Sequence, residues 1–166
     1  IDDLANAIRF KLSGFDLQEM ELAYAPPFSS AKDPVNMAGY VIGNVMEGLM
    51  KPFYLEDLES IPEDAVRLDV RTVEEYAGGT IPGFINIPLD SLRERMDELD
   101  LTKDIYITCQ IGLRGYLAQR ILDQAGARTW NLSGGYRFYE MKAKDEQSMA
   151  AAMTMCTECG MEVNAK

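Results

Sequence analysis

The chain has 166 residues, 47% of them hydrophobic and 26% charged, with a formal net charge of −11 at pH 7. This describes one ordinary globular domain, or one small domain plus a piece of another, and excludes a disordered chain. The charge argues against nucleic-acid backbones and anionic membranes as main partners, and the absence of histidine excludes Cys–His and Ser–His–Asp mechanisms.

No apolar run approaches the length of a membrane-spanning helix, and no signal peptide is evident. Three cysteines, an odd number, do not make a secreted disulfide framework, so a reducing, cytoplasmic setting is expected. The first residue is Ile1 rather than Met, so the chain is expected to be a fragment of something longer.

In chain order, Asp2 and Asp3 are expected to cap a helix with the stripe Leu4, Ile8 and Leu12. "MELAYA" alternates Met20, Leu22 and Tyr24 on one face, the pattern of a half-buried strand. After the turn-rich "APPFSSAKDP", Asp33 caps a helix with Pro34 at its first position and the stripe Val35, Ala38, Ile42, Val45, Met46 and Leu49. "KPFYLEDLESIPED" reads as a linker containing a short turn. The division is therefore 1–50 for a first segment, 51–60 for a linker, 61–142 for the main domain and 143–166 for a tail or a linker to a further domain.

From Ala65 strands alternate with helices. "VRLDV" is a strand, "TVEEYAGG" a short helix capped by Thr72, and "IPGFINIP" an extended, proline-bounded stretch. "LDSLRERMDEL" reads as a helix with the stripe Leu89, Leu92, Met96 and Leu99. "DIYITC" is a buried strand, "GLRGYLAQRILDQAG" a helix closed by Gly126, "RTWNLSGG" a strand and turn, and "GYRFYEMK" the start of a last helix. The alternation implies an α/β fold, a parallel sheet with helices on both faces.

Strands of an open parallel sheet deliver site residues at their carboxyl ends. Cys109 stands where "DIYIT" ends and the next helix begins. There the loop's N–H groups, including those of Gly112 and Leu113, can form an anion nest. The helix N-terminus adds its dipole and Arg114 a full positive charge, and all three favour a thiolate. Gly112 suits a tightly curled loop that needs a positive φ. The competing reading of such a cysteine is a small buried hydrophobe.

"LDVRTVEEYAGGTIPGFINIPL", "CQIGLRG" and "NLSGGYRFY", in that order and spacing, resemble a rhodanese domain over about Leu58 to Tyr139. That resemblance implies that Cys109 takes up a sulfane sulfur as a persulfide and passes it to a nucleophilic acceptor, with Arg114 as its catalytic partner. Gln110, Ile111, Gly112, Leu113 and Gly115 would be the substrate-binding residues of the loop. The short loop favours sulfur transfer over the phosphate chemistry of the related dual-specificity phosphatases. Asp69 and Arg71 match the family's "DVR" and are expected to brace the fold by ion pairing. Thr80 departs from the family pattern, standing where its members usually carry a histidine in "GHIPGA".

"MELAYAPPFSSAKDPVNMAGYV" resembles the end of the dimerisation domain of coenzyme A-disulfide reductases, some of which carry a C-terminal rhodanese domain. The fold class implied is a rhodanese-like parallel sheet flanked by helices, preceded by a partial α/β dimerisation-domain segment. By that match Tyr24 either reaches the partner subunit's active site near the thiol substrate or is a strand-face core residue. The parent would be a homodimer using FAD, NAD(P)H and coenzyme A. The chain carries neither a G-x-G-x-x-G stretch nor a flavin-side redox cysteine, so no cofactor is expected in the fragment itself. The expected partners are a persulfide or polysulfide donor and a thiol acceptor such as coenzyme A. Cys156 and Cys159 form a C-x-x-C, half of a zinc site or a redox pair. Without a second pair no metal is expected, and the pair has no assigned role. The rival reading from another class is a non-catalytic rhodanese-like docking or dimer-stabilising module, which usually lacks the cysteine.

Overall fold

The computed structural model describes residues 1–23, 27 and 32–158, with side chains as far as Met149. It divides into two compact units, Ile1–Lys51 and Pro52–Lys166.

In the first unit the helices are α1 (Asp2–Arg9), α2 (Gly14–Glu19) and α3 (Pro34–Met46). Asp2 and Asp3 lie inside the first turn of α1, and the cap position is Ile1. Here they favour the helix through its dipole rather than by capping. Of the expected stripe Leu4 packs against the core of this unit, but Ile8 is 80% exposed and Ala7 is buried in its place. The chain turns at Lys11, φ 58°, so Leu12 falls outside the helix. Ser13 then caps α2, accepting from Asp16 N while Asp16 accepts from Ser13 N at 2.6 Å. The cap of α3 is as expected, with Val35 N donating to Asp33 Oδ1 at 2.7 Å. Its buried face is nevertheless Val35, Gly39 and Gly43, not the larger residues of the stripe. The two glycines let α2 approach closely: a Cβ on Gly39 would lie 2.7 Å from Gln18 N. Asn36 Nδ2 donates to the carbonyls of Leu17 and Met20, both at 3.0 Å, which ties down the end of α2. Met20 to Ala23 form no strand, and Tyr24 lies outside the described residues.

In the second unit five parallel strands run β1 (Pro52–Phe53), β2 (Val66–Asp69), β3 (Ile85–Asn86), β4 (Asp104–Thr108) and β5 (Arg128–Leu132). Their spatial order is β1-β5-β4-β2-β3. The helices are α4 (Val73–Ala77), α5 (Leu113–Gln124) and α6 (Gly135–Glu158).

Strand period sorts the side chains onto two faces. Leu68, Val70, Ile105, Ile107 and Cys109 join Ala118 and Leu122 of α5 in one buried cluster. Tyr106, Trp130 and Leu132 join Phe53, Phe84, Tyr136 and Tyr139 in the other, where Tyr106 and Trp130 stack with ring centroids 5.1 Å apart.

Three expectations are corrected here. The segment 51–60 is not a linker, because Phe53 pairs with Leu132 in the sheet and Leu55 opens a 3-10 helix to Ser60, both side chains being buried. "LDSLRERMDEL" is not one helix but two short 3-10 turns, Leu89–Ser91 and Met96–Glu98. Leu89 N donates to Val70 O, which anchors the first turn to the end of β2 and leaves successive tight turns to bring Leu92 and Leu99 into the core. Finally, residues 143–158 are not a separate tail but continue α6 without a break. Cys159 lies outside the described residues, and so does the side chain of Cys156.

Candidate active site

Cys109 follows the last residue of β4, and its side chain has no solvent exposure. Gly112 N donates to Cys109 Sγ at 3.0 Å. That bond requires the loop to turn back on itself, and Gly112 does so with φ 118° and ψ −29° at the cap position of α5. No atom lies within 4 Å of a Cβ built on Gly112, so it is the backbone angle and not crowding that calls for glycine.

The loop is held from three directions. From below, Tyr136 N donates to Cys109 O at 2.8 Å and Arg137 N to Gln110 O at 3.1 Å. These are the first N–H groups of α6, which lack partners within their own helix. Gly135, φ 60°, makes this approach possible, since a Cβ there would sit 2.5 Å from Cys109 O. From the β5 side, Asn131 Nδ2 donates to Gly112 O at 3.0 Å. From the β2 side, Arg71 Nη1 reaches Gln110 Oε1 at 3.5 Å.

Arg71 and Asp69 form the buried ion pair expected of them, 2.7 Å between Nη2 and Oδ2. Arg71 also donates to Gly79 O at 2.6 Å and lies over the Tyr136 ring, 3.9 Å from its centroid. Thr80, the departure from the family pattern, donates Oγ1 to Asp69 Oδ2 at 3.1 Å. The pair thus braces β2, the Gly79 turn, α6 and the loop together.

Arg114 is not the free cation its position suggested. Its Nη1 and Nη2 meet Glu75 Oε2 and Oε1 at 2.6 and 2.7 Å, a bidentate pair. Glu75 stands at the third position of α4, where it also accepts from Thr72 N at 2.9 Å. Hydrogen bonding to Arg114, above all, outweighs burial and brings the Glu75 carboxyl down to about 2. The same pairing raises Arg114 further.

The other loop residues divide by exposure. Ile111 and Leu113 are 60% and 63% exposed and face outward at the mouth. Gly115 is buried, and a Cβ there would run into the Asn131 amide, so its missing side chain makes room for Asn131. Sequence reading missed Glu75 and Asn131. The spacing of Thr72 and Glu75 is the sequence mark of a capping box and was available, but it marks a cap and not a partner for Arg114. Nothing local to Asn131 signals its reach to Gly112.

Among the described residues no group of three or more acidic or cysteine side chains could hold a metal ion. No described helix is long and apolar enough to cross a membrane.

The family model "Rhodanese-like domain" matches residues 55–142. The "Uncharacterized protein YqhL" of Bacillus subtilis is 33% identical over 109 residues, covering 65% of this chain and 84% of that protein. A "Sulfurtransferase" of Allochromatium vinosum is 39% identical over 74 residues, 44% of this chain and 69% of that protein. Two solved structures are closely similar. Reduced Bacillus anthracis CoADR-RHD matches with 47% identity and a TM-score of 0.78, covering 83% of this chain. A NAD-dependent persulfide reductase from A. fulgidus matches with 40% identity and a TM-score of 0.72, covering 84%. Either coverage exceeds the length of the unit Pro52–Lys166, so both likenesses extend into the first unit. This chain spans only 25% of each of those two proteins.

Proposed function

We propose a function from one premise: the chain belongs to the rhodanese-like domain family. Cys109 is its sulfur carrier. The Cys109 thiolate attacks the outer sulfur of a persulfide R–S–SH. The S–S bond of the donor breaks, R–S⁻ leaves with the electron pair, and Cys109 holds the sulfur as Cys–S–SH. An acceptor thiolate then attacks that outer sulfur and releases the Cys109 thiolate, so no net oxidation occurs. The observation that carries this reading is the Gly112 N–H aimed at Sγ from 3.0 Å, a fixed donor for anionic sulfur at the carboxyl end of a central strand. Arg114 acts through its place in the loop, and Gln110, Ile111 and Leu113 meet the donor.

The same reading places the module in a reductase of coenzyme A disulfides, persulfides or polysulfides. It rests on the likeness to CoADR-RHD and to the persulfide reductase. In that parent FAD and NAD(P)H supply the reducing electrons. This chain carries no G-x-G-x-x-G stretch of its own. This chain's own residues bind, hold and release the sulfur. Coenzyme A as acceptor and Tyr24 at the partner's site belong to the same proposal. A homodimeric parent is supported by apolar side chains on the outer face of α3, where Val41 is 47% and Met46 57% exposed. A purely docking module is disfavoured by the presence of Cys109 itself.

The test is an intact mass after incubation with polysulfide. A species one sulfur heavier is expected in the native protein and not in Cys109→Ser. Equal sulfur gain in the variant would remove Cys109 from the role.

A further inference from the structure

Arg114 follows Gly112, the donor to Cys109 Sγ, by two residues and stands in the first turn of the helix that Gly112 caps. Its guanidinium is held edge to edge by the Glu75 carboxylate at 2.6 and 2.7 Å. The Arg71 guanidinium beneath the loop is likewise held by Asp69. Each cation carries its own carboxylate, so neither pair offers net positive charge to an incoming donor. Ile111 and Leu113, the exposed side chains at the mouth, carry no charge. Arg137, whose backbone N–H donates to Gln110 O, is exposed and is a further cation to be accounted for.

We propose that Glu75 is a specificity-determining residue: by clamping Arg114 it selects against dianionic sulfur donors and in favour of persulfides that react in the protonated R–S–SH form. The proposal rests on Cys109 as sulfur carrier. A dianion such as thiosulfate reacts by the same displacement: the Cys109 thiolate attacks the outer sulfur, the S–S bond breaks, and sulfite leaves with the electron pair. Its total charge is what the loop must accommodate. With Glu75 ionised, the repulsion from its carboxylate offsets the attraction to Arg114. Without that negative charge, Arg114 becomes an uncompensated cation at the site.

Glu75 is well suited to a clean test, because glutamine at the third helical position keeps the capping box with Thr72 while removing the charge. Sulfur loading of Cys109 is followed by mass in the native protein, in Glu75→Gln, in Arg114→Met and in the double variant. The donors are thiosulfate and the persulfide of 2-mercaptoethanol, whose organic arm is neutral. In Glu75→Gln the loading rate with thiosulfate should rise about five- to tenfold at low salt, the size expected for one unit charge acting on a dianion across partly solvated distance. The gain should shrink as salt is added. Loading from this persulfide should change less than about twofold, since the form attacked by the Cys109 thiolate is the protonated R–S–SH, on which the Coulomb term is small.

The gain with thiosulfate must disappear in the double variant. A gain that survives there comes from general relief of negative charge, for example through Arg137, and overturns the assignment. So does an equal change with both donors. If the native protein loads from neither donor, Cys109 as carrier fails instead, which separates the two readings. Thermal unfolding of each variant shows that a loss of rate is not a loss of fold.

Discussion

At the scale of single residues the site depends on two glycines that do different things. Gly112 is needed for its backbone angle, with open space where a side chain would go. Gly112→Ala should therefore destabilise by about 1–2 kcal/mol through strain at positive φ, without any clash. It should also slow sulfur loading, since relief of that strain swings the N–H away from Sγ. Urea unfolding and intact mass measure the two effects separately. Gly115 is needed for room, because its missing side chain leaves space for the Asn131 amide. Gly115→Ala and Asn131→Ala should each destabilise, but the double variant should be more stable than the sum predicts, by about 0.5–3 kcal/mol, as for residues in direct contact. Additivity in a double-mutant cycle would show that the contact carries no energy. Asn131 Oδ1 has no hydrogen-bond partner, so its amide is held by Nδ2 and by packing alone. The glycines of "CQIGLRG" were legible as loop formers. Their division of labour was not, since one depends on a residue of β5 sixteen positions later.

At the scale of elements, α4 and β1 carry the clearest consequences. Glu75 stitches the first turn of α4 to the first turn of α5 through Arg114. Its folded-state pKa is depressed to about 2 from 4.5, so its contribution to stability is fully present above pH 4.5 and lost as pH falls towards 2. The stability difference between native protein and Glu75→Gln should accordingly shrink over that range. Constancy of the difference in urea titrations would remove the ion pair as its cause. Both partners are about one-third exposed, which keeps the effect modest. β1 is two residues long, yet Phe53 is 4% exposed and meets Tyr106 edge-on at 5.2 Å. Phe53→Ala should cost about 3–5 kcal/mol, as deletion of a buried aromatic does and as change in a linker would not. The element errors have a common origin. β1 was too short to show a period, and the stripe from Leu89 to Leu99 fits a helix although successive 3-10 turns bury its leucines as well.

At the scale of the molecule, the parallel sheet explains why distant stretches meet. Asp69 at the end of β2, Cys109 after β4 and Asn131 near the end of β5 all emerge on one edge, as parallel strands require. Strand–helix alternation made this arrangement legible in the sequence, and with it the position of Cys109. Side-chain pairings between those ends, Arg114 with Glu75 above all, depend on how helices sit on the sheet and leave no local mark. Both core clusters of the second unit lie between Phe53 and Tyr139. A chain trimmed to residues 52–158 should therefore unfold in one cooperative transition and still load sulfur. Loss of loading in a folded trimmed chain would show that the second unit alone does not suffice.

The closed position of Cys109 Sγ has a consequence in time. A thiol with no solvent contact reacts only while the loop is open, so opening precedes every encounter with a reagent. As an alkylating agent is made more concentrated, the modification rate of Cys109 should level off at the opening rate, whatever the agent. That plateau would also be the upper limit on turnover for any donor that must enter the same way, with donor charge setting the rate only below it.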